Sequence, residues 1–273
     1  MAILVENVMN GGSRWIRNSR NSARETRIGL ALGGGFARGI AHVGVLRVFE
    51  REGIPIHAIS GVSSGAIAAA AFASGCSSVE IERAAQGIEI TSVESLGALV
   101  LALLKQTNFE DMSIPLAIVA SDLTAGAAVI FKEKGDVLMP IRASCAYPGI
   151  FPPVRYMNHC LVDGMVAMDV PAAPLRRMGA THVVSVVLPP TEMTDPQSMQ
   201  SVVQRSFQVM TARNGSHWRR SSDVVISPEV RESGMNLGWS SREAARQMIE
   251  AGSRAAEAVL PQILKWMSSA EAA

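Results

Sequence analysis

Apolar residues along this chain fall into short runs that alternate with stretches of helical period, and glycines mark the junctions. RIGLALGGG closes an apolar strand with three glycines, and FARGIAHVGVLRVFEREG follows with Ile40, Val43, Val45, Leu46 and Phe49 largely at helical spacing until Gly53. IPIHAIS, GVSSG and AIAAAAFASG repeat the order strand, turn, helix, and the alanines let that second helix lie close to a sheet. Two such units in succession predict parallel strands flanked by helices. Further strands are expected at 114–121, 127–131, 182–188 and 223–227, because continuous apolar runs suit strands covered on both faces. Helices are expected at 78–87, 94–106, 171–178, 196–212 and 241–266, the last kinked near Pro261. Without repeats or a low-complexity linker, residues 27–268 read as one domain, a three-layer α/β/α sandwich with a mainly parallel central sheet. Residues 1–26, arginine-rich and without clean period, are expected as a flexible basic arm.

Composition removes several function classes. Lys and Arg total 25 against 24 Asp and Glu, so no basic surplus points to nucleic acid. Cys76, Cys145 and Cys160 are odd in number and lack metal-ligand spacing, which suits a reduced, cytoplasmic compartment without a disulfide framework or a metal. The start MAILVENVMNGG lacks the pattern of a secretory leader, and LGALVLALL at 96–104 is about half the roughly 20 residues of a membrane span. Contact with a membrane is therefore expected to be peripheral at most.

Candidate chemistry sits in the two strand-to-helix turns. In GVSSG, Ser63 occupies the apex with Gly61 two residues before it and Gly65 two after, so neighbouring Cβ atoms leave the apex open. Ser64 lacks that symmetry. The preceding turn, GGGFARG, leaves successive backbone N–H groups able to close on an anion, which makes Gly33, Gly34 and Gly35 candidates for an oxyanion hole. A dinucleotide loop fits GGGFARG poorly, since Arg38 stands where the third glycine is required.

A serine needs a base. Of the five histidines, His42 and His57 fall within predicted packed elements, His182 heads a strand, His159 stands just before the run CLV, and His217 lies in a polar stretch. Ser63, Asp163 and His217 satisfy the chain order of an α/β-hydrolase triad. Asp163 offers a second solution: CLV ends in Asp-Gly, Gly164 permits an unusual backbone angle, and a desolvated carboxylate can act as base alone.

LALGGGFARGIAHVGVL, GVSSGAIAAAAFASG, IPLAIVASDLTAG, IRASCAYPGIFPPV and LVDGMVAMDVP, in this order, resemble the bacterial patatin-like phospholipases, or lipolytic acyl hydrolases. The resemblance runs from about residue 27 to the C-terminal helix. It implies a patatin-like fold and a Ser-Asp dyad, with Ser63 as nucleophile, Asp163 as base, the glycine loop as oxyanion hole and Arg38 ordering that loop. It also implies a lipid or fatty-acyl ester as substrate, and neither metal nor cofactor. The SDL of 121–123 and PGIFPP are expected as structural supports. Phe36 departs from the family pattern by separating the glycines from Arg38, and Met165 replaces the small residue expected after Asp163 and Gly164. Between Ser63 and FEDMSIP the chain is shorter than in many relatives, which predicts a reduced lid. The competing function is a regulatory or adaptor protein that keeps the fold.

Overall fold

Strand β2 (Ile28–Leu32) turns Ile28, Leu30 and Leu32 to one face of a sheet and Gly29 and Ala31 to the other, and every one of these residues is buried. Both faces are therefore covered, which explains the continuous apolar run. In the computed structural model, which describes residues 3–6, 25–85, 92–189, 195–214, 217–230 and 241–271, the chain continues through a 3₁₀ turn at Phe36–Ile40 into α1 (Ala41–Arg51). Strand β3 (Ile56–Val62) leads directly into α2 (Ser64–Ala73), and α3 (Ser78–Ala85) and α4 (Val93–Leu103) complete the first helical group.

The second half supplies β4 (Leu116–Asp122), β5 (Ala127–Lys132), α5 (Leu138–Ser144), the hairpin β6 (Val154–Tyr156) and β7 (His159–Asp163), then α6 (Ala172–Arg177) and β8 (His182–Val186). It closes with α7 (Met199–Asn214), β9 (Val224–Ile226) and α8 (Arg242–Glu271). The sheet runs β1-β5-β4-β3-β2-β8-β9, where β1 is Ile3–Glu6. Its centre, from β4 to β9, is parallel, whereas β5 and β1 add antiparallel strands at one side.

Three expectations need correction. Ile3–Glu6 pairs with Phe131 to Ala128 as an edge strand, so these four residues join the sheet; 1–2 and 7–24 of the expected arm lie outside the described residues. No helix was expected at 138–144, because seven residues with Pro140 in the first turn carry too little period to be read, although proline is tolerated there. The C-terminal helix continues through Pro261 as one element to Glu271.

Helices α1 to α5 and α8 cover one face around a core containing Leu30, Ile59, Ile118, Phe49 and Ile249, and α6 covers the other around Ala31, Val183 and Leu175. Among the described residues no helix is long and apolar enough to cross a membrane. The tightest packing lies where α1 crosses α8. A Cβ on Gly44 would stand 1.9 Å from the Ile249 carbonyl oxygen, and one on Gly252 would stand 2.0 Å from that of Ala41. Gly44→Ala must therefore separate two helices. It should cost about 1–3 kcal/mol, as overpacking does, and appear as a fall of several degrees in melting temperature, whereas Gly97→Ala, on the exposed side of α4 with nothing within 4 Å, should cost none.

Candidate active site

The edge of β4 is shared by two strands. Residues Leu116 to Val119 pair with β3, ending in the couple Val62–Val119, and the next position, Ala120, pairs with Asp163 at the end of β7. One strand stops and an antiparallel one takes over. Ser63 and Asp163, a hundred positions apart in sequence, are thus brought end to end by backbone pairing alone.

Ser63 has φ 53° and ψ −126°, a left-handed conformation that is costly for a residue with a Cβ. The surroundings hold it there. A Cβ on Gly61 would lie 2.4 Å from the Gly65 carbonyl oxygen, and one on Gly65 would lie 2.3 Å from that of Leu32, so both flanking glycines are required by close approach. The Ser63 N–H donates to Ser144 Oγ at 2.8 Å, and the Ser144 hydroxyl donates to the Val119 carbonyl at 2.6 Å. Ser144 terminates the unexpected helix α5, and sequence reasoning missed it. Nothing in IRASCAYPGIFPPV distinguishes it from any other small polar residue.

Asp163 is fully buried. Its Oδ1 accepts the Met165 amide at 2.9 Å, and Oδ2 has no partner of ordinary hydrogen-bond length. Burial pushes this carboxyl up to about 7, against the opposing pull of the Met165 amide and the Ser63 hydroxyl. Gly164 does not have the left-handed φ expected of it. It is needed because a Cβ there would meet the Val119 carbonyl oxygen at 2.3 Å. Ser121 supports the same turn, donating to the Gly164 carbonyl at 3.2 Å and accepting the Ala167 amide at 3.0 Å. Burial works against the charge of Asp122, yet His159 at 2.6 Å and the amides of Thr124 and Cys160 hold its carboxyl below the ordinary value.

The glycine loop also lies beside Ser63, but its amides are not equivalent. Gly33 N–H donates to the Val186 carbonyl at 3.0 Å and Gly34 N–H to that of Asp169 at 3.2 Å, so neither is free to receive an oxyanion. The amides of Gly35 and Phe36 have no acceptor among the described residues. Of the expected trio, Gly33 and Gly34 anchor the loop to β8 and to the segment before α6, while Gly35 keeps an amide without an acceptor among the described residues. Phe36, with φ 55°, turns the backbone into the 3₁₀ segment. Arg38 donates to the Pro189 carbonyl, and His42 donates from Nε2 to the Gly33 carbonyl at 2.8 Å. Burial pushes His42 down to about 4, so it stays neutral and serves this loop.

The other histidines are occupied elsewhere. His57 contacts the Met178 carbonyl, His159 pairs with Asp122, His182 stacks on Trp266 with centroids 4.5 Å apart, and His217 lies beyond Met165 in a separate crevice. The triad order with His217 is not assembled: Ser63 lines one crevice and His217 the other.

The crevice containing Ser63 holds about 750 Å³ of space free of protein atoms, part of it open to solvent. Its walls are Phe36, Ile67, Ile81, Leu96, Leu99 and Leu103 among other apolar groups, so α4 contributes the length of the cavity. The apolar run at 96–104 is thereby both core helix and cavity wall. Met165 lines the second crevice and packs against the glycine loop, its sulfur lying 2.3 Å from where a Cβ on Gly34 would be.

Comparison with known proteins gives the family and the fold. The family model described as patatin-like phospholipase matches residues 30–97 and 89–176, and the chain belongs to that family. It is 32% identical over 177 residues to an uncharacterized NTE family protein of Mycobacterium bovis, covering 59% of this chain and 49% of the relative. To patatin-like phospholipase domain-containing protein 7 of Rattus norvegicus it is 33% identical over 189 residues, covering 62% of this chain and 14% of that protein. The matches thus cover about half or less of these relatives' length. Among solved structures, VipD from Legionella pneumophila superposes with a TM-score of 0.56 at 13% identity, covering 88% of this chain and 67% of that one, which places the fold.

The buried carboxyl predicts a pH-dependent cost. A carboxyl raised from 3.8 to about 7 in the folded state binds more protons than the unfolded chain, so stability is lost as pH rises through that window. Asp163→Asn removes the charge without changing shape. Its melting temperature should exceed that of the natural protein at pH 8, and the gap should shrink towards pH 4; a gap independent of pH would contradict the buried, proton-binding carboxyl.

Proposed function

We propose that this protein hydrolyses lipid acyl esters through a Ser63–Asp163 dyad and an acyl-enzyme. The observation that carries the reading is the strained Ser63 elbow set against a fully buried Asp163 whose Oδ2 lacks another partner. Ser63 Oγ gives its proton to Oδ2 and attacks the ester carbonyl carbon, and the amides of Gly35 and Phe36 receive the negative oxygen. Asp163, now protonated, returns that proton to the departing alcohol oxygen. Water then enters, Asp163 takes one of its protons, hydroxide adds to the acyl carbon, and Ser63 leaves with the proton restored as the fatty acid is released. A base titrating near 7 suits both directions of transfer at neutral pH.

The apolar crevice supports an acyl chain as the part of the substrate held beside Ser63. The relatives' names, phospholipase among them, support the same substrate class, and a lipid substrate implies peripheral work at a membrane. In this reading Met165 restricts the space next to the base and favours esters with a slender alcohol side.

Turnover of nitrophenyl esters and of phospholipid or lysophospholipid vesicles tests the reading. Ser63→Ala should lose all turnover and all labelling by a fluorophosphonate probe, while Ser64→Ala should still be labelled. Absence of turnover on every ester would favour the adaptor function, and labelling lost only in Ser64→Ala would move the nucleophile.

A further inference from the structure

Helix α7 is amphipathic in the wrong direction. Met199, Val202, Val203, Val209 and Met210 recur at helical spacing along one stripe, and all five are exposed, Met199 by 78% and Met210 by 56%. The inward side carries Ser201, Gln204, Gln208 and Thr211, all half-buried. A surface helix of a soluble domain ordinarily turns its apolar stripe to the core, so this stripe is suited to something outside the domain.

Position and charge limit what that is. Phe207 of α7 packs edge-on against Tyr147 at 6.4 Å, and Tyr147 packs on Phe36 of the oxyanion loop at 4.7 Å. The helix therefore borders the mouth of the site. The helix carries no acid in its length; the exposed cations beside it are Arg219 and Arg220 of the 3₁₀ turn that follows, whereas Arg205 is half-buried with its Nη1 out of solvent and the exposed Asp195 precedes the helix. An apolar stripe followed by an exposed pair of arginines matches an anionic lipid surface, whose acyl boundary takes the methionines and valines and whose headgroups take Arg219 and Arg220.

We propose that α7 is an interfacial helix that docks the protein on anionic phospholipid surfaces and sets the mouth of the Ser63 crevice against them. The inference deepens the lipid-ester reading, but docking is measured without chemistry by using the Ser63→Ala protein. That protein should sediment with vesicles of phosphatidylcholine and phosphatidylglycerol, less with phosphatidylcholine alone, and less as salt is raised. Adding Val202→Asp and Val203→Asp should weaken binding at least about tenfold, since two apolar groups are lost from the lipid boundary and two charges are introduced. In the otherwise natural protein the same pair should leave melting temperature and hydrolysis of a soluble nitrophenyl ester unchanged while lowering hydrolysis of vesicle lipid. Vesicle binding unaffected by the pair would overturn the proposal, as would absence of binding at low salt. A concentration-dependent dimer abolished by the pair would also overturn it, assigning the stripe to self-association. Binding without turnover on any ester would keep the docking helix and remove the hydrolase reading.

Discussion

The handover on the edge of β4, from Val62–Val119 to Ala120–Asp163, is the constraint on which the rest of the site depends. It places Ser63 and the Asp163 carboxyl at the facing ends of two strands that run in opposite directions. The Val119 carbonyl lies at the joint. It accepts the Ser144 hydroxyl that holds the Ser63 amide, and it occupies the space that a side chain at residue 164 would need. Backbone geometry, more than side-chain reach, fixes the distance between the two reacting groups, and rigid strands hold such geometry better than loops do.

Proton affinity in the site follows from burial. Asp163 is hidden deeply enough that its charge is costly, and the shift up to about 7 is what the proposed mechanism needs of a carboxyl that takes a proton from a hydroxyl. The same burial, acting on His42, pushes that imidazole down to about 4 and keeps it neutral, so its Nε2–H holds the Gly33 carbonyl without adding a positive charge beside the base. The loop so anchored leaves the Gly35 and Phe36 amides without an acceptor among the described residues, and these are the amides that the proposed mechanism gives to the oxyanion. Desolvation thus prepares both the base and the support of the oxyanion loop.

Much of this was legible in the sequence because it is local. The glycines around Ser63 and the alternation of strand, turn and helix are nearest-neighbour patterns, and they specify the elbow and the parallel centre of the sheet. The partners that arrive from elsewhere were not legible. Ser144, His42 and the carbonyls of Val186 and Asp169 each act through one hydrogen bond that only the fold creates. For that reason the sequence could not separate Gly35 from Gly33 and Gly34: which N–H groups remain open depends on acceptors in β8 and before α6. Helix α7 shows the opposite case. Its period was readable at 196–212, but a period does not say which face meets the core.

The central claim is that Asp163 takes the Ser63 proton directly, with no histidine between them. Single-turnover hydrolysis of a nitrophenyl ester by Asp163→Asn, His42→Ala, His159→Ala, His182→Ala and His217→Ala, each checked for folding, tests it most directly. The account predicts that Asp163→Asn abolishes acylation. His159→Ala, His182→Ala and His217→Ala should retain it, and His42→Ala should show only the partial loss of a disturbed loop. Loss of acylation on the order of 10⁴-fold in a folded His217→Ala protein, with Asp163→Asn still active, would contradict it.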